Sequence, residues 1–254
     1  MGLFKKETCF LCGKKVGFLQ KINLTDGETL CVNCRLKHCS INNKKIKELS
    51  SEEVKEHIEQ LEKQQEFCKN ELSKKDFFRY SNDHVKTIFA DELGVFAVKN
   101  EDVEEQSIYE VFRYDQITNY FLYAPATHDE DDRLTIERVE VIIELEGHPY
   151  CEFVRIPCAV SYKGVRVYEN SAEELMKKLD EIFDKPHKPI ENKVLKEFSI
   201  GIGGLKFGKS PVNEIQNIKG IFTKPEGSKE NESYVKNAKG KYTERADKAL
   251  QAYK

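Results

Sequence analysis

No apolar run in this 254-residue sequence approaches the roughly 18 residues that a membrane-spanning helix requires. The opening stretch MGLFKKETCF holds no apolar segment of the roughly 7–15 residues found in secretory signal peptides. At position six, where a myristoylation pattern wants Ser or Thr, stands Lys6. These absences lead to the expectation of a cytoplasmic protein with no stable membrane association. Catalytic patterns are missing too: the six histidines are scattered without metal or triad spacing, and no GxSxG occurs, so an enzyme is not expected. Apolar residues are themselves scarce. Mean hydropathy is −0.62 and 33% of residues are charged, which confines the buried fraction to part of the length.

Charge is segregated along the chain. Residues 1–49 carry 10 basic against 4 acidic side chains, residues 76–185 carry 12 against 25, and residues 186–254 are again net basic. Basic ends therefore flank an acidic middle.

Half of the eight cysteines fall within CFLCGKKVGFLQKINLTDGETLCVNC, Cys9 to Cys34, as two CxxC pairs. A segment of fewer than about fifty residues buries too little apolar surface to fold unaided and needs a metal, a disulfide or a partner. Without a secretion signal, paired CxxC motifs point to thiolates on a metal, since cytosolic glutathione keeps unliganded pairs reduced. Cys9, Cys12, Cys31 and Cys34 complete the tetrahedral shell of structural zinc and leave no position for a catalytic water. Gly13 suits a tight knuckle turn, and TDG at 25–27 suits a hairpin tip. His38 and Cys39 lie close enough in sequence to substitute as ligands; a redox CxxC would need a βαβ context that is absent.

The two pairs with a glycine after the first, and a helix expected from the second, resemble treble-clef and zinc-ribbon modules such as the zinc-binding domain of the Clp unfoldase ATPase. GKKVGFL, the short hairpin with DG and then LCVNC are most similar, over about residues 8–45, to a bacterial domain of uncharacterised function found at the N-terminus of Gram-positive bacterial and phage proteins. That resemblance implies a zinc module without specifying an activity.

SSEEVKEHIEQLEKQQEFCKNELSKK opens with Ser50 and Glu53 at capping-box spacing, and Val54, Ile58, Leu61, Gln65, Cys68 and Leu72 then form a narrow stripe. The stripe either packs within the chain or forms a homodimer seam over residues 54–72. Beyond residue 84 the pattern alternates: HVKTIFADELGVFAVKN, IYEVFRYDQI, TNYFLYA, RVEVIIELEG, YCEFVRIP and CAVSYKGV read as six or seven strands, with Val139, Val141, Ile143 and Leu145 on one face and Glu140 and Glu144 on the other. SAEELMKKLDEIF follows as a helix with Ser171 as N-cap and Glu174 as its capping-box partner.

Strands followed by one amphipathic helix, together with the phrases FADELGVFAV and YDQITNY, resemble bacterial members of the pleckstrin-homology-like superfold over residues 77–185. The acidic charge of this segment departs from the lipid-binding branch of that group. The cluster DEDD at 129–132 lacks the glycine and distal Glu of a calcium loop and reads as a solvated loop. After KPHKP, the stretch GGLKFGKS at 203–210 satisfies the phosphate-loop expression, but Pro211 follows at once and no strand ending in Asp remains; it reads as a flexible connector.

The expected fold class is α+β: a zinc treble clef or ribbon at 1–49, a connecting helix at 50–76, an antiparallel pleckstrin-homology-like barrel with its helix at 77–185, and a flexible basic tail at 186–254. The expected function is a non-enzymatic adaptor or regulator binding a protein partner through the zinc module and the β-rich body. One alternative is nucleic-acid binding with Lys5, Lys6, Lys14, Lys15, Lys21, Arg35 and Lys37 as phosphate contacts. Another is a nucleotide-binding enzyme using the loop at 203–210.

Overall fold

The structure is a computed structural model and describes residues 7–41, 44–73, 76–82, 85–100, 108–123, 126–128, 134–136, 139–159, 165–188 and 228–253. Its backbone groups into two units, Met1–Arg113 with Glu244–Lys254, and Tyr114–Thr243.

The first unit begins with two short antiparallel pairs, β1 (Glu7–Thr8) with β2 (Lys15–Val16) and β3 (Lys21–Asn23) with β4 (Thr29–Cys31), followed by helix α1 (Val32–His38). Helix α2 (Ser51–Phe67) starts at the expected capping box, in which Ser50 and Glu53 satisfy each other's backbone N–H groups. Its last turn widens into a π-helical turn at Cys68–Leu72. Strands β5 (Phe78–Ser81), β6 (Val85–Ala90), β7 (Val95–Asn100) and β8 (Tyr109–Arg113) form an antiparallel meander in that order. One face carries Ile88, Ala90, Val95, Ala97 and Val111 against Phe67, Cys68 and Leu72. On the other, Phe78, Phe89, Phe96 and Phe112 stand in register, one per strand, with neighbouring ring centroids 5.1–5.9 Å apart.

The expected stripe on α2 is buried within the chain, with Val54, Leu61, Cys68 and Leu72 all covered, so the face offered as a homodimer seam is occupied by the chain's own residues. Gln65, which interrupts the apolar pattern, acts as a substitute strand: its amide nitrogen donates to the Tyr109 carbonyl at 2.6 Å and its oxygen accepts from Tyr109 N–H at 2.9 Å. Gln64 accepts from Val111 N–H at 2.9 Å. The outer edge of β8 is thereby satisfied by two side-chain amides.

In the second unit, β9 (Ile117–Tyr123), β12 (Val139–Leu145) and β13 (Phe153–Ala159) form a three-stranded sheet in the order β13-β12-β9, with a hairpin of β10 (Ala126–His128) and β11 (Leu134–Ile136) between β9 and β12. Helix α3 (Val165–Ile182) packs on this sheet through Ala172, Leu175 and Leu179. Helix α4 (Ser228–Leu250) contributes residues up to Thr243 to this unit and the remainder to the first.

Among the described residues the sheets are small and open. Helix α3 starts at Val165, so Ser171 lies inside it rather than capping it; the preceding stretch VRVYEN contains no glycine or proline to stop the helix. Glu140 is buried because β12 is the central strand, and Arg155 lies 3.5 Å from its carboxylate. Residues 228–250 are a packed helix rather than a mobile tail: Asn231, Val235, Ala238, Tyr242 and Ala246 are buried, and the Tyr242 hydroxyl donates to the Ile182 carbonyl at 2.6 Å. The acidic cluster at 129–132 and the glycine-rich loop at 203–210 lie outside the described residues.

A polar clasp closes the end of α3. His187 contacts Asp180 at 2.7 Å through Nδ1 and Glu173 at 2.5 Å through Nε2. Buried Asp180 also accepts from the Tyr120 hydroxyl at 2.7 Å and faces Lys185 at 3.2 Å. Burial opposes charge on the imidazole, but the Glu173 and Asp180 carboxylates outweigh it and raise His187 above its ordinary value of 6.5.

Two outcomes are expected. Gln65→Leu removes both bonds to Tyr109 and lowers stability by about 2 kcal/mol, read from the urea midpoint of the full chain. The His187 clasp contributes fully below pH about 6.5 and loses its contribution as pH rises through the higher folded-state value. The stability gap between wild type and His187→Gln then narrows toward alkaline pH, and an imidazole NMR titration places His187 above the ordinary histidine range.

Candidate metal centre

Local geometry brings the two CxxC pairs to one place. After the first pair, Gly13 N–H donates to the Cys9 carbonyl at 2.9 Å, and Gly13 takes φ +69°, a conformation that costs a residue with a Cβ. Phe10 N–H donates to the Thr29 carbonyl at 2.9 Å, fastening this knuckle to β4. The β3–β4 hairpin turns at Gly27, φ +86°, as the TDG signal predicts. Strand β4 then delivers Cys31 directly into α1, where its sulfur caps the helix by accepting from Cys34 N–H at 3.3 Å.

The sulfurs of Cys9, Cys12, Cys31 and Cys34 all lie within 4.8 Å of one another, and those of Cys12 and Cys31 are 3.9 Å apart. A tetrahedron with metal–sulfur bonds of about 2.3 Å has edges of about 3.8 Å, so the donor set has the size that an ion such as zinc requires. Cys9 and Cys34 are buried while Cys12 is exposed.

Electrostatics point the same way. Burial resists ionisation of Cys9, yet N–H groups of Cys12, Cys31 and Leu11 aimed at its sulfur prevail and bring it down to about 7. Desolvation and the neighbouring sulfurs push Cys31 and Cys34 up. Four thiolates at this separation need a cation among them, and the backbone is already arranged to favour the first of them. His38 and Cys39 are not members of the set. Cys39 is buried, its thiol pushed up to about 12 by desolvation, and its N–H closes α1 by donating to the Arg35 carbonyl.

The basic residues offered as phosphate contacts are divided. Lys14, Lys15 and Lys37 are exposed. Lys21 is engaged with Glu7 at 2.8 Å, and Arg35 donates through Nε to the Ile41 carbonyl at 2.9 Å. Lys5 and Lys6 lie outside the described residues.

Residues 8–57 match the family described as Domain of unknown function (DUF4428). No curated protein and no solved structure matches the chain. The matched stretch takes in both cysteine pairs and ends at His57, in the second turn of α2. Sequence reasoning missed this residue. His57 is buried, and its Nε2 accepts from Ser40 N–H at 3.3 Å and meets the Ser40 hydroxyl at 3.1 Å. Ser40 in turn bonds Glu110 of β8, a carboxyl that burial raises to about 7 against that hydrogen bond. A histidine three residues after Val54 and four before Leu61 lies on the apolar face, the one signal that could have singled it out.

Purified chain is expected to hold one zinc ion. Replacing Cys34 by Ser leaves a three-sulfur shell, lowers affinity by orders of magnitude and exposes the amides of residues 7–41 to hydrogen exchange. Acidification releases the ion, because protons compete for the same four sulfurs; elemental analysis against pH measures this.

Proposed function

We propose that this chain is a non-enzymatic, zinc-stabilised adaptor or regulator that binds a protein partner through its N-terminal module and a pleckstrin-homology-like body. The observation that carries this reading is the four-sulfur set. Zinc held by four cysteines has no open position for water or substrate, so its role is to fold the segment and hold a surface. The bonding of Ser40 to His57 and Glu110 supports a module built onto the rest of its unit.

The order of elements supports the pleckstrin-homology-like reading: an antiparallel meander, a second antiparallel sheet, then helix α3. Strands β5 and β13 end their sheets, the positions at which a partner strand can add. Nucleic-acid binding is the rival. Its exposed basic residues among those described, Lys14, Lys15 and Lys37, offer few phosphate contacts.

Cross-linking and mass spectrometry of the zinc-loaded full chain in cells tests the proposal. The expected outcome is a discrete protein partner recovered with wild type and lost with Cys31→Ser, the recovery unchanged by nuclease. Recovery of nucleic acid alone, or of the same proteins with the metal-free variant, overturns it.

A further inference from the structure

Among the described residues two large apolar side chains are exposed, Phe18 at 72% and Leu19 at 90%, and they are neighbours on a single 3-10 turn, Phe18–Gln20. Everything around them is arranged to keep them there. Val16 before the turn and Ile22 after it are buried, anchoring both ends. Gln20 N–H donates to the Gly17 carbonyl at 3.0 Å, and Lys21 is tied to Glu7 at 2.8 Å. The turn is thus a formed projection of the cysteine module, and little conformational freedom is lost when it is covered.

Charge around the projection is mainly basic, with the Glu7 carboxylate held against Lys21 at 2.8 Å. Lys14 and Lys15 are exposed on the approach to it, and Lys21 leaves it with Nζ 5.8 Å from the centre of the Phe18 ring. The carboxylates of Asp26 and Glu28 belong to the opposite end of the β3–β4 hairpin. Lys21 pairs with Cys31 at the sulfur end, whereas Asn23 pairs with Thr29 next to the turn that carries the acids. Two exposed apolar side chains on one turn, with exposed lysines beside them, have the composition of an interfacial anchor.

We infer that the Phe18–Leu19 turn is a peripheral contact for an anionic bilayer surface, the two side chains entering the headgroup boundary while Lys14 and Lys15 meet lipid phosphates and carboxylates. This goes beyond the adaptor reading and does not depend on it. A nucleic acid fits less well, since the most exposed residue, Leu19, has no π face on which a base can stack. Two apolar side chains and two lysines fall short of stable anchoring, which takes two independent signals, so the contact is reversible. The acidic surplus of residues 76–185 opposes it and makes it sensitive to salt.

The chain contains no tryptophan, so Leu19→Trp places a single reporter at the tip of the full-length, zinc-loaded protein. Vesicles of phosphatidylcholine with phosphatidylserine are expected to shift its emission to the blue, and vesicles of phosphatidylcholine alone are not. Lys14→Ala and Lys15→Ala should each weaken binding about fivefold, and raised salt should reverse the shift. In wild type, sedimentation with the anionic vesicles should be lost on Phe18→Ser with Leu19→Ser. That pair is exposed, so it leaves zinc content and melting temperature unchanged. An indole that stays water-exposed with anionic vesicles at low salt overturns the inference and leaves the tip to an apolar pocket on a protein. Sedimentation that survives the double substitution, or an equal shift on neutral vesicles, overturns it as well.

Discussion

Four sulfur atoms gathered within 4.8 Å of one another cannot all carry charge unless a cation stands among them, and the first unit of this chain is built around that constraint. The backbone lowers the cost of the first thiolate by aiming N–H groups at Cys9, including that of Cys31 at 3.3 Å. Burial first, and after it the neighbouring sulfurs, drive Cys31 and Cys34 the other way. The folded segment therefore presents four sulfurs to which a cation such as zinc could bind. Strands of two or three residues, too short to persist alone, bring the four sulfurs to one place.

Away from the cysteines the chain solves a different problem, the open edges of small sheets, with side-chain amides. Gln64 and Gln65 of α2 meet the backbone of β8, and Asn231 of α4 donates to the Tyr120 carbonyl of β9 at 2.6 Å. An amide presents a donor and an acceptor with much the geometry of a peptide group, so a helix can finish a sheet edge without adding a strand. Polar residues thereby occupy positions on helical faces where an apolar pattern leads one to expect leucine.

That substitution explains what could and could not be read from the sequence. Cysteine spacing, Gly13, the TDG turn and the Ser50–Glu53 box were legible because each is local: the residue type and its near neighbours determine the geometry. Gln65, His57 and Glu140 were not, because their burial depends on partners brought in from far along the chain or from a neighbouring strand. Gln65 reads as a break in the stripe until Tyr109, 44 residues later, supplies its bonds. The packed face of α4 was missed for a related reason. Its residues Asn231, Val235, Ala238, Tyr242 and Ala246 recur at helical spacing, but one is an amide and two are alanines, so the face has little hydrophobic amplitude. Ser171 shows the converse error, a capping pair that is locally sound and yet lies within a longer helix.

The boundary of the cysteine module follows from the same reasoning. Ending it at residue 49 groups it by composition, where the basic segment stops. The bonds run further. Asp26, at the hairpin tip, accepts from Ser51 N–H at 2.8 Å, and Thr25 N–H donates to the Leu49 carbonyl at 3.0 Å, so the hairpin and the start of α2 hold one another. One turn later His57 receives Ser40, the residue just after the N–H that closes α1. A module cut at residue 49 loses the partner of Asp26 and leaves Ser40 facing solvent, whereas one continued to His57 keeps both, in agreement with the extent of the family match. The first two turns of α2 thus belong with the cysteine module, and the rest of that helix meets the sheet through Gln64 and Gln65.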